Sequence, residues 1–183
     1  VALGDPDPRV AGQGIARLRA AGIMVEEGIC RADAARDHAG FLGRINTGRP
    51  LLTLKLASTL DGRIATASGE SQWITGPDAR RAVHIMRLNH DAVLVGGGTA
   101  RADDPTLTVR NMGAVQNPVR IVASAGLNLR TDNRLSRSIG DAPLWLLHAK
   151  AADTSNWVGT GARLLPVSTD PSGHLDPSAM LQS

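Results

Sequence analysis

Tyrosine is absent from this sequence of 183 residues, phenylalanine occurs once (Phe41) and tryptophan three times (Trp73, Trp145, Trp157), so aromatics make up only 2%. Single-strand nucleic-acid binders stack bases on several exposed rings, and this composition leaves too few. A basic footprint is missing as well, because 20 Lys+Arg against 17 Asp+Glu leaves a net charge of +3. That is well short of what nucleic-acid binding asks of a chain this size. Cysteine is reduced to Cys30, which excludes an internal disulfide and a multi-thiolate metal cage and fits a reducing, cytoplasmic setting. Apolar runs such as Asp91-Ala-Val-Leu-Val-Gly96 are of strand length, far below the ~18–20 residues of a membrane helix. The five histidines show no His-x-His or His-x-x-x-His spacing, and no Gly-x-Ser-x-Gly is present. Neither metal ligation within these residues nor a nucleophile elbow is therefore expected.

What is present reads as alternating helices and strands. Asp5-Pro-Asp-Pro-Arg9 is a stiff loop, because proline disfavours helix in the residue before it. A helix is expected over Val10–Ala21, with Gly22 as its terminating glycine, then a short strand at Ile23–Val25 and a helix over 31–47. Gly48-Arg-Pro50 breaks the pattern and marks a domain boundary. A mostly apolar strand is expected over Leu51–Ala57. Pro77 and Asp78 suit the first turn of a helix that reaches about Asn89. Further strands are expected at Asp91–Gly96, Pro118–Ala123, Pro143–His148 and Arg163–Val167. This alternation predicts an α/β layer fold with a mainly parallel sheet.

Four segments carry the polar residues that could do chemistry. Gly96-Gly-Gly-Thr99 follows a strand, where ligands of α/β sheets bind and where glycine lets backbone approach a phosphate; a plain tight turn explains it equally well. In Arg101–Arg110, Asp103 and Asp104 are adjacent, so one can brace the loop while the other faces a ligand. Arg110 ends a short Leu-Thr-Val strand, where its fork can grip a phosphate; the bland alternative is a surface turn with an internal Asp–Arg pair. Ser71 and Thr75 precede a helix start, where an anion is favoured. Trp73 there either packs a cofactor ring or seals the core, the commoner fate of a lone Trp, and Arg87 near the helix end ordinarily just complements the dipole. Lys55 interrupts an apolar strand, so either that strand has a wet face or Lys55 points into a site.

The motifs Leu54-Lys-Leu-Ala-Ser-Thr-Leu-Asp-Gly-Arg-Ile-Ala65, Gly69-Glu-Ser-Gln-Trp-Ile-Thr-Gly-Pro77, Asp91-Ala-Val-Leu-Val-Gly-Gly-Gly-Thr99 and Asp103-Asp-Pro-Thr-Leu-Thr-Val-Arg110 occur in the order and spacing of a known family. The sequence resembles the bifunctional riboflavin-biosynthesis deaminase/reductases. Asp5–Gly14 and Leu18–Val25 resemble the end of that family's deaminase domain. The resemblance implies an excerpt: the C-terminal end of a cytidine-deaminase-like domain over 1–48, then the first two-thirds of a dihydrofolate-reductase-like reductase domain over 49–183. It implies NADPH as cofactor, zinc only in the parent deaminase with no ligand from this chain, and a phosphoribosylamino-pyrimidine substrate. It also implies a homodimer through the reductase domain and no nucleic-acid or membrane partner.

Residue by residue, the resemblance puts Ser71, Arg87, Leu107 and Arg110 on the substrate's phosphoribosyl end. Ala57, Trp73, Thr99 and Asp103 fall at the NADPH site, and Lys55 and Asp103 form the catalytic pair near the carbon that receives hydride. The sequence departs from the family in four respects. It lacks the deaminase's His-x-Glu and Pro-Cys-x-x-Cys signature and the reductase's later glycine-rich cofactor loop and substrate glutamate. It has Ser124-Ala125 where Asp-Ser is usual, and His38 where the family usually has Asn. Two rivals are a standalone reductase of this fold acting on another substrate, which the deaminase-like leader argues against, and a non-catalytic nucleotide-binding or assembly module. The isolated chain is expected to have little reductase activity.

Overall fold

The computed structural model describes residues 1–113 and 115–182. The last residue of the expected reductase segment, Ser183, lies outside them. The chain divides into two units, Val1–Lys55 and Leu56–Ser183.

The first unit is helical. The Asp5–Arg9 loop is fixed by its own side chains, since the Asp7 carboxylate accepts the Arg9 backbone N–H at 2.9 Å and the Arg9 guanidinium. Helix α1 (Gln13–Ala20) ends at Ala21, and Gly22 follows with φ +77°, the left-handed geometry that glycine adopts without a Cβ clash. The helix expected over 31–47 is two helices, α2 (Arg31–Asp37) and α3 (Ala39–Thr47), broken at His38. Asp37, His38 and Gly40 are all weak helix formers, and together they make that point the easiest to break. Ile23–Val25 is not a strand.

Leu51–Ala57 is not a strand either, and residues 51–56 are exposed. Alternating apolar side chains suit a strand, but a strand exists only where a neighbour takes up its N–H and C=O groups.

The second unit holds a parallel sheet of four strands, β1 (Ala92–Gly96), β2 (Val119–Ala123), β3 (Leu144–Ala149) and β4 (Arg163–Val167), in that order across the sheet. The register pairs Leu94 with Ile121, Val122 with Leu146, and Leu147 with Leu165. All four strands fall where the sequence predicts them. Helix α4 (Pro77–Leu88) precedes β1, with Pro77 in the first turn and Asp78 at its positive end. Helix α5 (Gly97–Asp103) begins directly after β1, so Gly96-Gly-Gly-Thr99 opens a helix and does not form a plain turn. Short helix α6 (Arg134–Arg137) lies between β2 and β3, and α7 (Pro177–Met180) follows β4.

One sheet face packs Val122, Leu144 and Leu146 against Ala100, Leu107, Leu127, Leu135 and Trp157. The other packs Leu147 and Val167 against Leu175. Burial on both faces explains the near-continuous apolar runs of β2 and β3.

Candidate functional site

The polar residues of greatest interest lie where α4 meets the irregular segment after α5. His84 and Arg87 are three apart on α4 and so share a face. Arg87 Nη1 donates to the Thr108 carbonyl at 3.1 Å, and the Arg110 backbone N–H donates to His84 Nδ1 at 3.2 Å. With Nδ1 accepting, the neutral ring carries its proton on Nε2. Burial holds the His84 pKa below the usual histidine value, and the Arg87 and Arg110 guanidiniums push in the same direction. Arg87 is lowered too, first by burial and then by Arg110. Among the described residues, no carboxylate forms an ion pair with Arg87 or Arg110. Two arginines that repel each other beside a neutral histidine form a concentrated positive spot that an anion would complete.

The segment carrying Arg110 is not the Leu-Thr-Val strand expected from the sequence. Its backbone is left-handed at Asp104 (φ 38°) and Leu107 (φ 59°), and side chains hold it in place of a ladder. The Asp104 carboxylate accepts the Arg134 backbone N–H at 2.8 Å, and the Val109 N–H donates to Asn117 Oδ1 at 2.8 Å. Asp104 is thus the bracing member of the Asp pair, and Asp103 stays exposed at the end of α5. The internal Asp–Arg pair considered as an alternative is not formed among the described residues.

Beyond the carboxyl end of β1, the three glycines play different parts. A Cβ on Gly97 would lie 2.8 Å from Ser124 Oγ, so Gly97 is required by packing on the end of β2. A Cβ on Gly96 or Gly98 would meet nothing within 4 Å. That open backbone is where a phosphate or cofactor can approach closely. Thr99 and Asp103, four apart on α5, share one exposed face.

The remaining expected residues are placed less tightly. Leu107 is buried in the core, leaving its backbone as the part able to meet a ligand. Ser71 is exposed, and among the described residues no hydrogen bond joins it to Arg87 or Arg110. Trp73 does not seal the core. It is 70% exposed, and the Arg80 guanidinium lies 4.5 Å from its ring centre. Arg80 in turn donates to the Thr75 carbonyl at 2.9 Å, which steadies the approach to α4. Ala57 is half-buried at the start of the second unit, and Lys55, the last residue of the first, is exposed.

Residues 50–182 match the family model for the RibD C-terminal domain. This chain belongs to the RibD C-terminal domain family. The riboflavin biosynthesis protein RibD of Escherichia coli is 39% identical, over 94% of this chain and 49% of its own length. A solved deaminase/5-amino-6-(5-phosphoribosylamino)uracil reductase from Thermotoga maritima superposes with a TM-score of 0.82 at 32% identity, covering 99% of this chain and 48% of that one. RibD from Acinetobacter baumannii gives 0.81 at 35% identity, covering 100% and 49%. The chain spans about half the length of the curated relatives it matches. Its fold is accordingly the α/β, dihydrofolate-reductase-like class of RibD reductase domains.

Two residues escaped the sequence reading, one in this cluster and one inside the sheet. His84 was weighed only as a metal ligand, although its three-residue spacing from Arg87 already put both on one helix face. Arg120 was passed over inside an apolar strand, where a charged residue is as unusual as Lys55.

Proposed function

We propose that this chain supplies the reductase part of a bifunctional riboflavin-biosynthesis protein, reducing 5-amino-6-(5-phosphoribosylamino)uracil with NADPH to the ribitylamino product. The observation that carries this reading is the Arg87–His84–Arg110 cluster, which offers an anion two guanidiniums that form no ion pair among the described residues. The substrate's phosphate is such an anion, and the relatives' names supply the reaction. Residues 1–48 are read as the end of the deaminase domain and 49–183 as the reductase portion. The family match beginning at residue 50 supports that division. Zinc belongs to the deaminase and takes no ligand from this chain. A homodimer and a cytoplasmic location follow from the resemblance, and no helix among the described residues is long and apolar enough to cross a membrane.

NADPH supplies the hydride. The open backbone at Gly96 and Gly98, the exposed Thr99 and Asp103 and the exposed Trp73 ring fit a dinucleotide; Ala57 is assigned to the same site. Arg87 and Arg110 hold the phosphate, Ser71 adds a hydroxyl, and the Leu107 backbone contacts substrate. Fixing the far end of a flexible sugar is what holds its reacting carbon over a short, aligned distance. Lys55 is assigned the charge that develops on oxygen during reduction, and Asp103 the polar contact to the ribose. NADPH oxidation by the longer protein that carries this chain, with and without the phosphoribosylamino substrate, tests the reading. Substrate-dependent oxidation is expected, with little from the 183-residue chain alone; no substrate-dependent oxidation by the longer protein refutes the assignment.

A further inference from the structure

Arg120 is fully buried in the middle of the sheet, on β2 between Val93 of β1 and Leu144 of β3. Among the described residues it forms no ion pair. Burial lowers its pKa, and the Asp141 charge offsets this only in part. Carbonyl and hydroxyl oxygens take the place of a carboxylate. Nη1 donates to the Thr106 carbonyl at 3.2 Å and to Ser138 Oγ at 2.6 Å. Nη2 donates to the Ser138 carbonyl at 2.9 Å and the Ala142 carbonyl at 2.5 Å. Nε has no partner among the described residues.

A buried cation without a counter-ion is an expensive way to fill a core, and apolar side chains of similar volume often do the job as well or better. The planar guanidinium adds geometry, since its donors form a rigid fork able to hold carbonyls from separate segments at once. Here one arm holds the turn after α6, at Ser138 and Ala142. The other reaches Thr106, the residue before Leu107, in a segment with no ladder of its own. We infer that Arg120 is a positioning residue for the substrate loop: through the Thr106 carbonyl it sets the backbone that presents Leu107 and Arg110. This inference builds on the phosphate-clamp reading above and adds a residue that never touches substrate.

The test uses Arg120→Lys, Ser138→Ala and Arg110→Ala in the longer protein that carries this chain, with kcat and both Michaelis constants measured separately. Lysine keeps the charge but not the fork. Ser138→Ala removes one acceptor and leaves the cation in place, so it decides the matter if Arg120→Lys does not fold. A positioning role raises KM for the phosphoribosylamino substrate by about tenfold in Arg120→Lys and about threefold in Ser138→Ala, the scale of losing all or part of a charged hydrogen bond. KM for NADPH stays within about twofold. A residue that only stabilises the fold would lower Tm and the active fraction and leave both Michaelis constants unchanged, which would overturn the inference. If Arg110→Ala raises the substrate KM and neither Arg120→Lys nor Ser138→Ala does, only the positioning role fails. If Arg110→Ala also leaves it unchanged, the clamp reading fails and takes this inference with it.

Discussion

Replacing Arg110 by alanine is the sharpest probe of the site, because the structure separates what its side chain does from what its backbone does. The loop is held to His84 through the Arg110 backbone N–H, which alanine keeps. The guanidinium is exposed and forms no ion pair among the described residues. Arg110→Ala therefore subtracts one positive charge and leaves the loop's anchor intact. A unit charge 4 Å from an anion is worth about 1 kcal/mol in water and about 4 kcal/mol at an effective dielectric of 20. An exposed guanidinium beside a half-buried Arg87 falls between these limits, in line with the roughly 1.5–3 kcal/mol of a charged hydrogen bond. That is about 10- to 150-fold in Kd for the phosphate end of the substrate. Calorimetric titration with ribose 5-phosphate at two salt concentrations measures it, and the salt dependence should shrink in the variant. An unchanged Kd in a folded Arg110→Ala protein would refute the clamp.

Two further outcomes are expected. Asp103→Asn should lower NADPH oxidation more than it lowers Tm, because the exposed Asp103 makes no structural bond comparable to that of Asp104 among the described residues; equal activity in the two proteins would reduce Asp103 to a turn residue. His84 should make stability fall with acid. Its folded pKa lies below the usual 6.5, so below that pH the unfolded chain takes up a proton that the folded chain resists, and stability drops from about pH 6.5 down to the folded value. Above 6.5 His84 contributes no slope, and urea midpoints across this range should lose that component in His84→Gln.

The sheet was legible in the sequence because its strands are short apolar runs, covered on both faces at β2 and β3 and more open at β1, where Leu94 is 50% exposed. Asp91–Gly96, Pro118–Ala123, Pro143–His148 and Arg163–Val167 are apolar runs bounded by Gly, Pro or Asn, and their partners are all present. Leu51–Ala57 has the same composition and is irregular, because composition reports what a strand would bury and not whether a neighbour is there to pair with it. Lys55 and Arg120 show the same gap. Lys55 stood out as a cation in an apolar run and is exposed. Arg120, an equal anomaly five residues from Ala125, went unremarked and is the buried one. Of the two readings of Trp73, the commoner one, sealing the core, does not hold: it lies on the surface against Arg80.

The loop between α5 and β2 shows why Arg110 was legible as chemistry while its setting was not. Left-handed backbone at Asp104 and Leu107 is unfavourable for residues with a Cβ and persists only where the surroundings over-determine it. Here the determinants come from far along the chain: Arg87 on α4, Asn117 before β2, Arg120 within β2 and the Arg134 N–H at the start of α6. None of these is adjacent in sequence to the backbone it fixes, so no local pattern in Asp103–Arg110 reports the arrangement. The consequence is that a loop outside any regular element still carries fixed geometry, and an arginine at its end can be aimed at a phosphate without an aromatic platform. Ligand recognition that relies on Arg, Ser, Thr and glycine backbone needs this kind of bracing, and it is compatible with a chain in which aromatics make up only 2%.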